Sequence, residues 1–127
     1  MKHIEHLEAP RFHALRERHA LGEEVLVALH NIGTLLQDWN RLEMAERMYL
    51  RVLAGREKAL GPDHTSTLDT VNNLGLLYSE RGTLNAAEQM YNRALAGKEN
   101  AWGLDHTSTL QTVNNLGNLY HDQAVMK

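Results

Sequence analysis

The sequence predicts an all-α solenoid of antiparallel helical hairpins, because it repeats itself and each repeat has a helical pattern. Residues 61–78 read GPDHTSTLDTVNNLGLLY and residues 103–120 read GLDHTSTLQTVNNLGNLY, an offset of 42 positions. The longer ranges 42–78 and 84–120 are identical at 26 of 37 aligned positions. A weaker copy precedes them, in which Asn31 and Gly33 stand one period before Asn73 and Gly75. The array is therefore expected to run from about residue 23 to residue 124.

Each period contains two amphipathic helical patterns. Apolar residues recur at helical spacing in the first-type helix, at Leu68, Val71, Leu74, Leu77 and Tyr78, and in the second-type helix, at Leu84, Ala87, Met90, Tyr91, Ala94 and Leu95. The turn around Gly82 is so short that the two helices must be antiparallel neighbours. Glycine inside a helix costs about 1 kcal/mol relative to alanine. The recurrence of Gly33, Gly75 and Gly117 inside the first-type helix therefore predicts close approach of a neighbouring helix.

About six helices are predicted in one domain spanning 1–127. In chain order they cover residues 10–21, 24–38, 42–60, 66–81, 84–102 and 108–123. Gly61 and Gly103 are expected to end the second-type helices. Asp63, Thr65 and Ser66 each offer an oxygen to cap the helix that follows, and the sequence does not choose among them. The domain divides into a partial leading repeat (1–22), two full repeats (23–64 and 65–106) and a partial trailing repeat (107–127).

Composition excludes several function classes. The chain has 127 residues, a formal net charge of −3 and no cysteine. Without an excess of basic residues, nucleic acid is not an expected partner. Disulfides and thiolate metal sites are excluded, and no apolar segment is long enough to cross a membrane or resembles a signal peptide. We expect a soluble, cytoplasmic protein.

One repeat resembles the signature of tetratricopeptide repeats, in which small and large residues alternate at fixed spacings. The matching residues are Val71, Leu74, Gly75, Tyr78, Gly82, Ala87, Tyr91 and Ala94. The 42-residue period, the GxDH connection and the VNNLG segment resemble the kinesin light chain type, and are similar to the repeat tails of fungal nucleotide-binding receptor-like proteins. The resemblance implies a right-handed superhelix that binds proteins. No GxxxxGK[ST] phosphate loop is present, so nucleotide binding is not implied.

The same resemblance implies that first-type helices line a concave groove. The groove positions are Val27, His30, Thr34, Gln37, Asp69, Asn72, Leu76, Ser79, Gln111, Asn114, Asn118 and His121. Similar repeats use asparagines matching Asn72 and Asn114 to hold a peptide main chain; the alternative is that they hydrogen-bond between helices. The positions include no lysine or arginine, so an acidic ligand is not expected.

No catalytic, metal or cofactor site is predicted. His64 and His106 lie in equivalent loops one period apart, and no HExxH spacing accompanies them. The glutamates of the second-type helices are expected on solvated faces beside Arg47, Lys58 and Lys98. An enzyme would need a pocket completed by another chain.

Two functions remain in competition. The first is a non-catalytic adaptor that holds a peptide or partner helix in the groove. The second is a structural module that forms homo-oligomers through its open ends, because the last helix carries an apolar assembly face with no later helix to cover it. That predicted assembly face consists of Val113, Leu116, Leu119 and Tyr120.

Overall fold

The computed structural model describes residues 22–126, and this part of the chain folds into five α-helices without strands. The helices are α1 (Glu23–Asp38), α2 (Leu42–Leu60), α3 (Thr65–Arg81), α4 (Leu84–Trp102) and α5 (Thr107–Met126). The predicted all-α solenoid is confirmed, and each predicted helix bound from residue 24 onward lies within three residues of the observed one. The predicted helix 10–21 lies outside the described residues.

Consecutive helices form antiparallel hairpins. Gly75 of α3 lies against Tyr91 of α4, and Leu68, earlier in α3, lies against Gly97, later in α4. The order of contacts along one helix is thus reversed along the other. A Cβ atom added to Gly75 would lie only 2.6 Å from Cε1 of Tyr91, so the aromatic ring occupies the space that any larger residue would need. The predicted close approach is therefore a contact between a glycine and a tyrosine ring at Gly33 and Gly75. The prediction is wrong for Gly117, where an added Cβ would meet no atom of the described chain within 4 Å.

Successive hairpins share a continuous core. The larger cluster joins residues of α2, α3 and α4, namely Ala45, Tyr49, Leu53, Val71, Leu74, Leu77 and Ala94. A second cluster joins α4 to α5 through Ala87, Tyr91, Leu116 and Leu119. Because the internal helices α2, α3 and α4 pack against both the preceding and the following helix, the repeats are held in one stack.

The connections use residues suited to left-handed backbone conformations. Gly82 has φ of 81° and closes α3, and Asn40 takes φ of 61° at the corresponding turn after α1. Asparagine adopts this conformation more readily than most residues other than glycine. The degenerate first repeat therefore keeps the same turn without the glycine.

The N-cap residue of α3, which the sequence did not determine, is His64. Nδ1 of His64 accepts a hydrogen bond from the backbone N–H of Ser66 at 3.1 Å, and His106 makes the same bond to Ser108 at 3.1 Å. None of the three oxygen-bearing candidates is the N-cap of α3. The recurring histidines thus satisfy backbone donors at the starts of α3 and α5.

Candidate functional site

A polar cavity of about 400 Å³ lies on the face shared by α1, α3 and α5. Seven residues line it: His30, Arg56, Asp69, Asn72, Asn73, Ser108 and Gln111. Four of these, His30, Asp69, Asn72 and Gln111, were predicted as groove residues. The structure therefore brings together one group of predicted positions from all three first-type helices.

Asn72 is buried at the centre of this cavity wall. Its Oδ1 accepts hydrogen bonds from Oγ1 of Thr112 at 3.1 Å and from Nδ2 of Asn115 at 3.2 Å. The side-chain oxygen thus joins α3 to α5, as in the structural alternative for these asparagines. Nδ2 of Asn72 donates to no atom of residues 22–126 and remains able to bind a ligand acceptor.

Two basic side chains of the second-type helices make equivalent contacts at the cavity: Arg56 lines it, and Lys98 lies next to the lining residue Asp69. The Arg56 guanidinium is 3.0 Å from the Glu23 carboxylate and donates to Oγ1 of Thr70, also at 3.0 Å. Lys98, one period later, donates to Oγ1 of Thr112 at 3.2 Å. Each cation thereby connects its own helix to the first-type helix that follows.

This arrangement corrects the sequence interpretation of Lys98, which is buried rather than on a solvated face. It also adds Arg56, which was not predicted, to the cavity wall. The available signal was the recurrence of a basic residue at 56 and 98 together with a threonine at 70 and 112. Sequence patterns alone did not show that the long basic side chains reach across to the groove.

His30 stands where Asn72 stands one period later and forms the other side of the cavity. Burial lowers the pKa of His30, the positive charge of Arg56 lowers it further, and the carboxylate of Asp69 opposes the shift. Its Nδ1 is buried and has no hydrogen-bond partner within the described part of the chain. The imidazole therefore favours its neutral form at pH 7.

Thr34 and Gln37, also predicted for the groove, take part in bonds between helices. The Tyr49 hydroxyl donates to Oε1 of Gln37 at 2.8 Å and lies 3.2 Å from Oγ1 of Thr34. Nε2 of Gln37 donates to Glu80 of α3 at 2.7 Å. These side chains fix the stacking of α1, α2 and α3.

The remaining groove predictions lie outside the cavity lining. Val27 and Leu76 are largely exposed and Ser79 is partly buried, while Asn114, Asn118 and His121 are exposed on α5. Asn114 therefore differs in its surroundings from Asn72, although the two occupy equivalent positions. The cavity is formed mainly by the middle of the array.

Some glutamates of the second-type helices bond to later helices. Glu46 accepts from the Tyr78 hydroxyl and pairs with Arg81, both at 2.6 Å, and Glu57 pairs with Arg93 at 2.7 Å. Burial, followed by the bond to Glu46, raises the pKa of Tyr78 to about 12. Glu46 and Glu57 are thus partly buried in pairs between helices, whereas Glu99, Arg47 and Lys58 are exposed as expected. Residues 22–126 contain no group of three His, Cys, Asp or Glu side chains placed to hold a metal ion.

The predicted assembly face is only partly available. Leu116 and Leu119 are buried against Ala87 and Tyr91 of α4, so they belong to the core. Val113 and Tyr120 are exposed, as is Leu110, which was not predicted. The correction follows from geometry, because one side of α5 faces α4 and only the other side is open.

Comparison with known proteins supports the architecture. A family model described as tetratricopeptide repeat matches residues 17–100. The crystal structure of BtubC (BKLC) from P. vanneervenii is similar, with a TM-score of 0.75 and 27% sequence identity, and the match covers 81% of this chain and 41% of that chain. This chain thus corresponds to less than half the length of BtubC. The curated proteins include no match. Among the helices described above, none is long and apolar enough to cross a membrane.

Proposed function

Because this chain belongs to the tetratricopeptide repeat family, we propose that it is a non-catalytic adaptor that holds a peptide or a partner helix in the groove formed by α1, α3 and α5. Tetratricopeptide repeats generally mediate interactions between proteins. The polar cavity around Asn72 is the observation that carries the proposal for this chain. It spans three successive first-type helices, as a site for an extended or helical segment must.

A comparison of the two most similar first-type helices, α3 and α5, also supports a ligand site on the groove face. Residues 65–78 and 107–120 are identical at 12 of 14 positions. The two differences are Asp69 against Gln111 and Leu76 against Asn118, and all four residues are exposed at predicted groove positions. Packing requirements account for the repetition of buried residues, whereas these exposed positions are free to suit a ligand.

The chemistry of the cavity favours an uncharged polar ligand such as a peptide main chain. The amide groups of Asn72, Asn73 and Gln111 can donate to carbonyl oxygens and accept from N–H groups. The nearby cations are already neutralised, since Arg56 pairs with Glu23 and Lys98 lies 3.4 Å from Asp69. An acidic tail would therefore find no free positive charge among these groups.

The proposal extends to the type of repeat. We infer from the 42-residue period and the GxDH connection that the repeats are of the kinesin light chain type, and we propose that the chain serves as a cytoplasmic scaffold. The competing hypothesis of a self-assembling structural module loses part of its basis, because Leu116 and Leu119 are buried within the chain.

The test is selection of ligands from a displayed peptide library, with variants that keep the fold. Asn73→Ala combined with Gln111→Ala removes two amides that line the cavity. Asn72 is left intact because its oxygen joins α3 to α5. Gln89→Ala combined with Asn92→Ala is the matched control, since these two residues are exposed on the second-type helix α4.

We expect peptides selected on the unmodified chain to bind the control variant equally and the cavity variant at least about tenfold more weakly, a difference of about 1.4 kcal/mol. Equal binding by both variants, with circular dichroism showing intact helices, would exclude the cavity as the ligand site.

A further inference from the structure

The helices α3 and α5 share nearly the same sequence but have different neighbours. Leu68 and Val71 of α3 are fully buried, whereas their counterparts Leu110 and Val113 of α5 are 51% and 43% exposed. The second-type helix α4 covers α3, and residues 22–126 contain no helix that covers α5 in the same way. The structure therefore contains both a covered and an uncovered form of one surface.

The covered form shows which side chains fit this surface. Tyr91 of α4 packs on Gly75, and Gly97, six residues after Tyr91, makes room for Leu68. The first hairpin uses the same pair of contacts, with Tyr49 on Gly33 and Gly55 against Leu26. A first-type helix thus offers a glycine notch and a leucine knob, and the helix that covers it supplies a tyrosine and, six residues later, a glycine.

The helix α5 has both features, and no atom of residues 22–126 occupies the notch or covers the leucine as α4 does on α3. Gly117 corresponds to Gly75, but a Cβ atom added there would meet no atom of the described chain within 4 Å. Leu110 corresponds to Leu68 and is exposed. We call the surface formed by Leu110, Val113, Gly117 and Tyr120 the open face.

We propose that the open face of α5 is a docking surface for one amphipathic helix of a partner polypeptide, which lies antiparallel to α5 and carries a tyrosine and, six residues later, a glycine. The tyrosine fills the notch at Gly117 and the glycine receives Leu110. A basic residue directly after the glycine completes the match, because Arg56 follows Gly55 and Lys98 follows Gly97. The segments YLRVLAGR and YNRALAGK are the chain's own examples of such a helix.

A second copy of the chain fits the open face less well than a separate helix. Tyrosine followed six residues later by glycine occurs in this sequence only at Tyr49 with Gly55 and at Tyr91 with Gly97. Both pairs are already packed within their own hairpins. A copy would have to open one of its hairpins to supply the pair, whereas a partner helix supplies it without that cost.

The experiment uses a fluorescent synthetic peptide of residues 82–104, which contains the sequence of α4, and measures its binding to the full chain by fluorescence anisotropy. The matched control peptide carries Tyr91→Ala and Gly97→Leu, which remove the ring and fill the space for the leucine. We expect the control peptide to bind at least about tenfold more weakly, equivalent to about 1.4 kcal/mol.

Variants of the full chain locate the binding. Gly117→Leu fills the notch from a position where an added Cβ meets no atom of the described chain within 4 Å, so we expect the variant to remain folded and to lose at least about tenfold in affinity for the peptide. Val113→Asp, which places a charge on the open face, provides an independent second variant. Binding that is unaffected by both would overturn the proposal, because the peptide would then have displaced α4 from α3 or bound elsewhere.

Sedimentation equilibrium of the chain alone tests whether a second copy of the chain binds the open face. We expect a monomer mass that does not change with concentration. A dimer that Gly117→Leu abolishes would assign the open face to a second copy and overturn the partner-helix proposal.

Discussion

Nζ of Lys98 lies 3.4 Å from Oδ1 of Asp69, with the lysine side chain 1% exposed and the aspartate side chain 55% exposed. The ammonium group is thus enclosed by the protein while its acidic partner remains in contact with water. Thr112 and the backbone carbonyl of Ser108 provide its other hydrogen bonds. This lysine connects α4 to α3 and to α5, and two of its partners, Asp69 and Ser108, line the cavity.

Replacement of Lys98 should therefore be costly. Lys98→Ala removes a buried side chain and leaves a void together with unpaired acceptors, so we expect the free energy of unfolding to fall by about 2–4 kcal/mol. Lys58→Ala, at an exposed position of α2, is the control and should change it by about 0.5 kcal/mol or less. Urea unfolding followed by circular dichroism measures both, and similar values for the two variants would contradict the role assigned to Lys98.

Two glycines at equivalent positions should respond in opposite directions to the same substitution. Gly75→Ala places a methyl group against the buried ring of Tyr91 and should destabilise the chain by about 1–3 kcal/mol. Gly117→Ala meets no atom of residues 22–126 and improves helix propensity, so it should stabilise the chain by up to about 1 kcal/mol. Thermal unfolding of the two variants shows whether each substitution raises or lowers the stability. Destabilisation by both would mean that another group already packs against Gly117.

The repeats and helix bounds were predictable from sequence because packing imposes the same residues at every period. The 42-residue offset located the hairpins, and Gly82 with the spacing of the apolar residues located the turns. The capping role of His64 was missed because histidine is an uncommon N-cap compared with serine, threonine or aspartate. Only the structure showed that its Nδ1 points at the N–H of Ser66.

The candidate groove was predictable only in part. His30, Asp69, Asn72 and Gln111 line the cavity, but the contribution of Arg56 depends on the path of a long side chain between two helices. Likewise, helical spacing groups Leu116 with Val113 without showing which of them faces α4. Periodicity identifies the apolar side of a helix, and the neighbouring helices decide how much of that side is covered.

The stability of the chain should depend on pH through His30. Its folded-state pKa is lowered below the ordinary value of 6.5, chiefly by burial, so the unfolded chain binds the proton more readily. The contribution of His30 to stability is then fully present above pH 6.5 and is lost as the pH falls through the lower folded-state pKa. Urea unfolding between pH 7.5 and pH 5 should show this loss.

The variant His30→Asn isolates that contribution, because asparagine is the residue at the equivalent position 72. We expect its stability to decline less steeply with falling pH than that of the unmodified chain. His121→Asn, at an exposed position on α5, is the matched control. Identical pH dependence for His30→Asn and the unmodified chain would show that His30 is not responsible.

All four tyrosines of the chain should ionise at a higher pH than a free tyrosine. Burial is the main cause of the raised pKa values of Tyr49, Tyr78 and Tyr91, the last two reaching about 12, whereas the hydrogen bond to Glu88 raises the pKa of Tyr120. Since the folded state holds these protons more tightly, the stability they contribute is present below pH 10 and is lost as the pH rises toward about 12. Absorbance at 295 nm should therefore show less phenolate at pH 10 than four free tyrosines would give, and the ionisation of Tyr78 and Tyr91 should accompany the loss of helical circular dichroism at higher pH. The variant Glu88→Gln should lower the pH at which Tyr120 ionises and leave the other three tyrosines unchanged. A folded chain that titrates like four free tyrosines, about half ionised at pH 10, would contradict the observed packing.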